Sequence, residues 1–429
     1  MPKLRDVVDA ATAFTGAIVA GMALFLPFTF STADSIGSPY RVTSLVNSVP
    51  RAAALGLIVA ACVAVMVRPL SRPGLVWLTA TCGSAVLTIN YFIGRNVTSA
   101  DILTTQNYID ALSGGFVFGA LGICSLRQRW PAVGFALGTV LVFVYGEVVA
   151  VFSANVATAN KVVHTPAWMV VLATILLIVN TVRHRHGIML PTGGRQPADL
   201  PISPIVGATV LSLTALLATE WLSNEFDGQK ANVWEIALAV LASVGAAFLA
   251  AILLPGRDGA GVLIAIAVAA AADALGDAQS LGWAIVLVAV LATTGILVGL
   301  ARPAPWLVLL GAGVISVYSI FAAGLEWMSS WVIGVAMISY LAGFGFGSVR
   351  VTYLPSAILA LGALYLPSIL WAIPTALRTW PVGGPDANAA TPGRTALAIT
   401  AATAVALLLL YRIRPAATAR RRPVSAPDT

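Results

Sequence analysis

The sequence predicts an all-α integral membrane protein with about 14 transmembrane helices, and three observations predict it. Only 10% of the 429 residues are charged and 59% are hydrophobic, whereas soluble domains carry about 25% charged residues. Apolar runs of roughly 17 to 25 residues recur along the whole length, each long enough to cross about 30 Å of hydrocarbon as a helix. The basic residues fall into alternate loops between those runs.

The first run follows MPKLRDVVDAATAF. Its start is basic, but the apolar stretch is long and no small-residue cleavage site follows, so it reads as the first membrane helix and not a removable signal. Thirteen further runs centre near residues 59, 84, 118, 142, 174, 213, 244, 268, 290, 314, 338, 363 and 403. The run at 268, AGVLIAIAVAAAADAL, is short and Ala-rich.

With both termini cytoplasmic, alternation puts Lys3, Arg5, Arg68, Arg72, Arg127, Arg129, Arg183, Arg185, Arg195, Arg257, Arg302, Arg350 and the five arginines after residue 411 on the cytoplasmic side. That is 17 of the 24 Lys and Arg residues. Removing one helix would invert every later loop and scramble this bias, so an even count is favoured. Trp168, Trp221, Trp234, Trp283, Trp327, Trp331, Trp371 and Trp380 then collect at the outer interface. The net charge of +7 is thereby topology, and no nucleic-acid partner is expected. Localisation in the plasma membrane follows.

The longest cytoplasmic loop, RHRHGIMLPTGGRQPADLP, divides the helices six and eight. The expected units are 1–183, a linker at 184–203, 204–350, an additional helix pair at 351–412 and a basic, disordered tail at 413–429. A shift of 173 residues carries Gly122 onto Gly295, Arg129 onto Arg302 and Tyr145 onto Tyr318, which suggests two parallel six-helix pseudo-repeats plus the C-terminal pair. Such repeats around a central site are a transporter architecture.

A 6+6 arrangement with a long central loop resembles the major facilitator superfamily. In that family the short turn after helix 2 reads G-x-x-x-D-R-x-G-R-[RK]. This chain has VRPLSRPG at 67–74 and PGRDGAG at 255–261, without the first Asp. That family also sets extra helices between its halves, while loop lengths here place the surplus pair (353–373 and 394–411) last. In that respect the chain is similar to the polyprenyl-saccharide flippases of the multidrug/oligosaccharidyl-lipid/polysaccharide exporter superfamily, whose appended pair contributes to a groove for the lipid tail. The Ala, Val, Gly and Arg bias is similar to that of actinobacterial proteins.

No P-loop, HExxH or Rossmann glycine pattern occurs, so no cofactor is expected. Cys62, Cys82 and Cys124 lie in apolar runs and read as packing residues. His184 and His186, in VRHRHG, read as a basic loop.

Candidate binding residues are polar groups at membrane depth. Glu147, in LVFVYGEVVA beside Tyr145, sits in the outer half of the fifth helix and suits a proton-coupling carboxylate. Asn90 and Arg95 lie near the same depth in LTINYFIGRN. Arg41 and Arg51 flank the second helix outside, where a basic cluster suits a phosphate or pyrophosphate head group. Glu220, Glu235 and Asp273 lie toward outer helix ends, where snorkelling or capping is the plainer explanation. Gly115/Gly119, Gly134/Gly138 and Gly343/Gly347 allow close helix contacts.

The expected function is a transporter, foremost a flippase or exporter of a polyprenyl-linked saccharide or related envelope precursor. One alternative is a proton-coupled, facilitator-type exporter of small molecules. Others are a polyprenyl-phosphate-dependent glycosyltransferase using Asp34 or Asp101, and a non-transporting partner of an envelope-synthesis enzyme. Membrane lipids are partners in every case.

Overall fold

The computed structural model describes residues 4–25, 39–70, 72–94, 100–145, 167–185, 202–227, 232–275, 284–322, 328–349, 351–373 and 390–415. Among these are fourteen α-helices. The first six are α1 (Leu4–Phe25), α2 (Pro39–Val67), α3 (Pro73–Gly94), α4 (Ala100–Ser125), α5 (Arg129–Tyr145) and α6 (Ala167–His184). There follow α7 (Ser203–Asp227), α8 (Val233–Leu253), α9 (Ala260–Asp273), α10 (Ala284–Ala301), α11 (Pro305–Ala322), α12 (Met328–Ser348), α13 (Leu354–Gly362) and α14 (Thr391–Ile413). Each apolar run read from the sequence contains one helix or, near residue 363, the junction of one. By length and composition, nine spans can cross a membrane among the described residues.

A series of contacts gathers alternate helix ends at one end of the bundle. Asp9, near the start of α1, meets Arg183 and His184 at the end of α6. Arg127, in the α4–α5 turn, donates to the Arg68 carbonyl after α2. Arg68 lies over the Tyr353 ring before α13, 4.3 Å from its centroid. The Arg257 side chain, in the α8–α9 turn, donates to the Arg414 carbonyl after α14. Arginines crowd this end, which is called the basic end below. Arg414 is anchored by its own guanidinium to the carbonyls of Ile252, Leu254 and Gly256. Of the segment expected as a tail, residues 413–415 are described and residues 416–429 lie outside the described residues.

Helix α1 lies along α5 and α4, α2 along α4, and α3 between α4 and α6. Later in the chain α9 packs on α14 and α11 and also on α13 and α12, α10 lies along α12, and α11 packs on α14 and α12. Helices α7 and α8 pack on each other, with α7 resting on α2 and α8 on α14. Short α9 is buried on all sides from Ala260 to Ala271 except for Ile266, as a helix at the centre of a group must be.

Glycines shape several close crossings, among them α1–α5 at Gly134 and Gly138. A Cβ on Gly115 or Gly119 of α4 would run into the carbonyl oxygens of Gly56 and Ala60 on α2. A Cβ on Gly343 or Gly347 of α12 would run into those of Ala292 and Ile296 on α10. Small residues let backbones approach where lipid supplies no hydrophobic drive between helices. A shift of 228 residues carries Gly115 onto Gly343 and Gly119 onto Gly347.

One helix is broken. The sequence predicts a continuous span over 353–373, but α13 stops at Gly362. Two 3-10 turns follow, Ala363–Tyr365 and Ile369–Ala372. Pro367 has no N–H to give and excludes the helical conformation from the preceding residue; Leu366 is accordingly extended at φ −74, ψ 137. Irregular backbone survives at membrane depth only inside protein, and Leu364, Tyr365, Leu366, Ile369 and Leu370 are all buried.

Candidate functional site

Among the described side chains of the first six helices, the most deeply buried carboxyl group belongs to Asp110 of α4, which is 0% exposed. Its Oδ1 accepts a hydrogen bond of 2.8 Å from Asn90 Nδ2 on α3, and the same amide donates to the Gln106 carbonyl at 3.2 Å. One turn earlier, Asn107 Nδ2 donates to Ser48 Oγ of α2 at 2.9 Å. Gln106, Asn107, Asn90 and Ser48 are buried as well. One amide–carboxyl bond thus joins α3 to α4 about 15 Å along α4 from its start, and a separate amide–hydroxyl bond one turn earlier joins α4 to α2. Desolvating so many polar groups in apolar surroundings is costly unless they bond one another.

Asn90 is thus one of the residues expected to matter, while Asp110 is not. TSADILTTQNYID reads as an outer loop because its polar residues dilute the apolar run. Helix α4 starts at Ala100 and carries that polar segment into the membrane. The available signal was spacing: Gln106, Asp110 and Ser113 share a helical face at i, i+4 and i+7, and all three are buried.

Arg51 and Glu220, both singled out by sequence, meet. Arg51 Nε donates to Glu220 Oε1 at 2.7 Å, joining α2 to α7. Their side chains remain 51% and 40% exposed. The pair ties the α7–α8 hairpin to the first six helices. Glu220→Gln is expected to change stability by less than about 1 kcal/mol, as for exposed ion pairs generally. A double-mutant cycle with Arg51→Gln, read by thermal unfolding, checks this.

Asp273 closes α9, partly buried. Tyr145 closes α5 and Arg41 lies in the first turn of α2, but their side chains are outside the described set. Glu147, Arg95 and Asp34 lie outside the described residues, and Asp101 is described only as backbone in the first turn of α4. Glu235 closes a capping box, its Oε2 accepting from Asn232 N at 3.0 Å.

At the basic end, buried Asp258 accepts hydrogen bonds from the backbone amides of Thr352 (2.9 Å) and Tyr353 (2.7 Å). It so satisfies the amides leading into α13, where a negative charge is favoured. Burial pushes the Tyr353 phenol up from its ordinary range and the nearby Arg68 pulls it back. Asp9 is held by Arg183 (3.4 Å) and His184 (3.3 Å), and His184 stacks on Trp77 at 5.8 Å. The histidine read as a loop residue is therefore part of a packed helix end.

Two cavities lie between the first six helices and the last six. The larger, 560 Å³, is a groove walled by α1, α5 and α6 on one side and α10 on the other, with Phe14, Trp168, Leu172, Ile285 and Val286 in its lining. Its hydroxyls, Thr15, Thr293 and Thr294, each donate to a carbonyl of their own helix. The smaller, 220 Å³, lies toward the basic end between α5 and α9, α12 and α13. Between the two, α5 packs on α10, and Tyr365 of the broken segment reaches across to α5. Its hydroxyl donates to the Thr139 carbonyl at 3.0 Å, and its ring packs on Phe118 at 5.8 Å.

No family model and no curated protein matches this chain. Among solved structures it is similar to the human organic anion transporter MFSD10 (TETRAN), with 12% identity, TM-score 0.46, and coverage of 96% of this chain and 100% of that one. It is also similar to the POT family transporter PepTSo, with 13% identity, TM-score 0.47, and coverage of 96% and 98%. An auto-inhibited POT family peptide transporter shows 14% identity and TM-score 0.44 over 98% of each chain.

Proposed function

We propose that this chain is a secondary transporter of an amphipathic molecule, working by movement of α1–α6 against α9–α14, with α7–α8 as a strut between them. The supporting observation is the interface between the two sets of helices. It holds two cavities toward opposite ends, separated by the Tyr365–Thr139 contact and the α5–α10 crossing. Loss of that contact on one side and its renewal on the other is the motion alternating access requires.

The groove suits a hydrocarbon tail, because its hydroxyls are already bonded and its walls are otherwise apolar. A polyprenyl-linked saccharide is one substrate of this chemistry, and an amphipathic small molecule is the other. Asp110, at membrane depth, is the proposed proton carrier in place of Glu147. The positive-inside rule puts the basic end and both termini in the cytoplasm, and the plasma membrane is the proposed location.

The test uses proteoliposomes with an imposed pH gradient and two probes: a fluorescent polyprenyl phosphate read by dithionite quenching, and ethidium read by fluorescence. At least one is expected to move faster than in protein-free liposomes. Cross-linking Leu141→Cys to Ala289→Cys across the groove, with the three native cysteines replaced by Ala, should stop it. Movement of neither probe, or movement unchanged by the cross-link, overturns the reading.

A further inference from the structure

We infer that the cavity at the basic end is a binding site for a single-chain amphipathic anion, with its tail in the cleft and its carboxylate or phosphate on Arg129. This deepens the transporter reading by giving the substrate a charge and a shape. The cleft walls are apolar: Val133 of α5, Ile264 and Val268 of α9, Phe346 of α12 and Leu361 of α13 line it. Arg129, the first residue of α5, is the one charged side chain in the lining.

What distinguishes Arg129 from the other arginines at this end is that it lines the cleft. Arg127 is bonded to the Arg68 carbonyl, Arg68 lies on Tyr353, and Arg257 and Arg414 join α8 to α14. Arg129 is exposed and makes neither a hydrogen bond nor an ion pair among the described residues; its guanidinium stands 6.0 Å from the neighbouring Trp130 ring. The buried carboxylates at this end are already engaged, Asp258 by the amides before α13 and Asp9 by Arg183 and His184. A guanidinium at the rim of an apolar cleft complements a ligand with one anionic head and one alkyl tail. Ligand sites for compact drug-sized molecules run about 300–1,000 Å³; at 220 Å³ this cleft suits one chain and not the two of a phospholipid.

The test is equilibrium binding of 11-(dansylamino)undecanoate and of its methyl ester to the full chain in zwitterionic nanodiscs, read by dansyl fluorescence with no gradient applied. The acid is expected to bind at least ten-fold more tightly than the ester. Arg129→Gln should erase that difference and Arg129→Lys should keep part of it. Ala265→Phe, which fills the cleft, should weaken both probes, with unfolding temperature checked alongside. Equal affinity for acid and ester, or acid binding unchanged in Arg129→Gln, overturns the inference. So does full competition by phosphatidylglycerol added to the nanodiscs, which would assign the site to a lipid head group. A chain that moves the liposome probes without preferring the acid loses this inference and keeps the transporter reading. A chain that prefers the acid and moves neither probe keeps the binding site and loses the transporter.

Discussion

Gly115→Leu and Gly343→Leu are each expected to leave little folded protein, while Gly245→Leu, on the exposed part of a helix, is tolerated. The added Cβ at Gly115 meets the Gly56 carbonyl and at Gly343 the Ala292 carbonyl, whereas nothing lies within 4 Å of a Cβ at Gly245. A flexible side chain could swing aside, but a carbonyl in the middle of a helix cannot move without its whole turn. Overpacking of this kind costs about 1–3 kcal/mol where side chains yield, and the rigid backbone places these two at or above the top of that range. Size-exclusion profiles and melting curves in detergent measure it. The informative result is the pairing: the α2–α4 and α10–α12 crossings should fail alike, because the same four-residue spacing of glycines makes both. A severe loss at Gly115 with none at Gly343 would show that the second crossing is not the counterpart of the first.

That pairing also shows what the sequence could and could not convey. Hydropathy located every helix, since a span must be apolar whatever it packs against. The grouping of helices was less legible. Gly115/Gly119 and Gly343/Gly347 were visible as close-contact pairs, yet identity over Ala- and Val-rich runs favoured a different shift, which aligns α4 with α10. Partners of a glycine are carbonyls on another helix, and a carbonyl carries no residue identity to read. Likewise, Pro367 was visible in LYLPSILW, but only burial shows that most of the break at 362–373 faces protein and that Tyr365 reaches α5.

Of the candidate residues, Arg51, Glu220 and Asn90 are found in defined contacts, for different reasons. Arg51 and Glu220 are charges near helix ends, and such charges find each other across a groove. Asn90 mattered because an amide inside an apolar run must be bonded, and its partner was the residue overlooked. Asp110 escaped notice because Thr104, Thr105, Gln106 and Asn107 precede it; four polar residues in succession resemble a loop until the helix is seen to start at Ala100.

Asp110→Asn is expected to fold and to lose gradient-driven movement of substrate, and Asp110→Leu is expected not to fold. The asymmetry follows from the hydrogen bonds. An amide oxygen can take the place of Asp110 Oδ1 as the acceptor for Asn90 Nδ2, so the α3–α4 contact survives, but an amide cannot carry a proton between two states. Leucine removes the acceptor and leaves a buried amide donor with one partner fewer, in a cluster where Asn90, Gln106, Asn107 and Ser48 are all buried. An unsatisfied buried group costs about 1–3 kcal/mol, and a polar network fails as a unit more than as separate pairs. The measurements are the melting temperature of each variant and the rate of probe movement with and without a pH gradient. In Asp110→Asn the downhill, gradient-free rate should persist while the acceleration by the gradient disappears. Persistence of that acceleration would remove Asp110 from coupling and leave it as the polar bolt of α3 and α4.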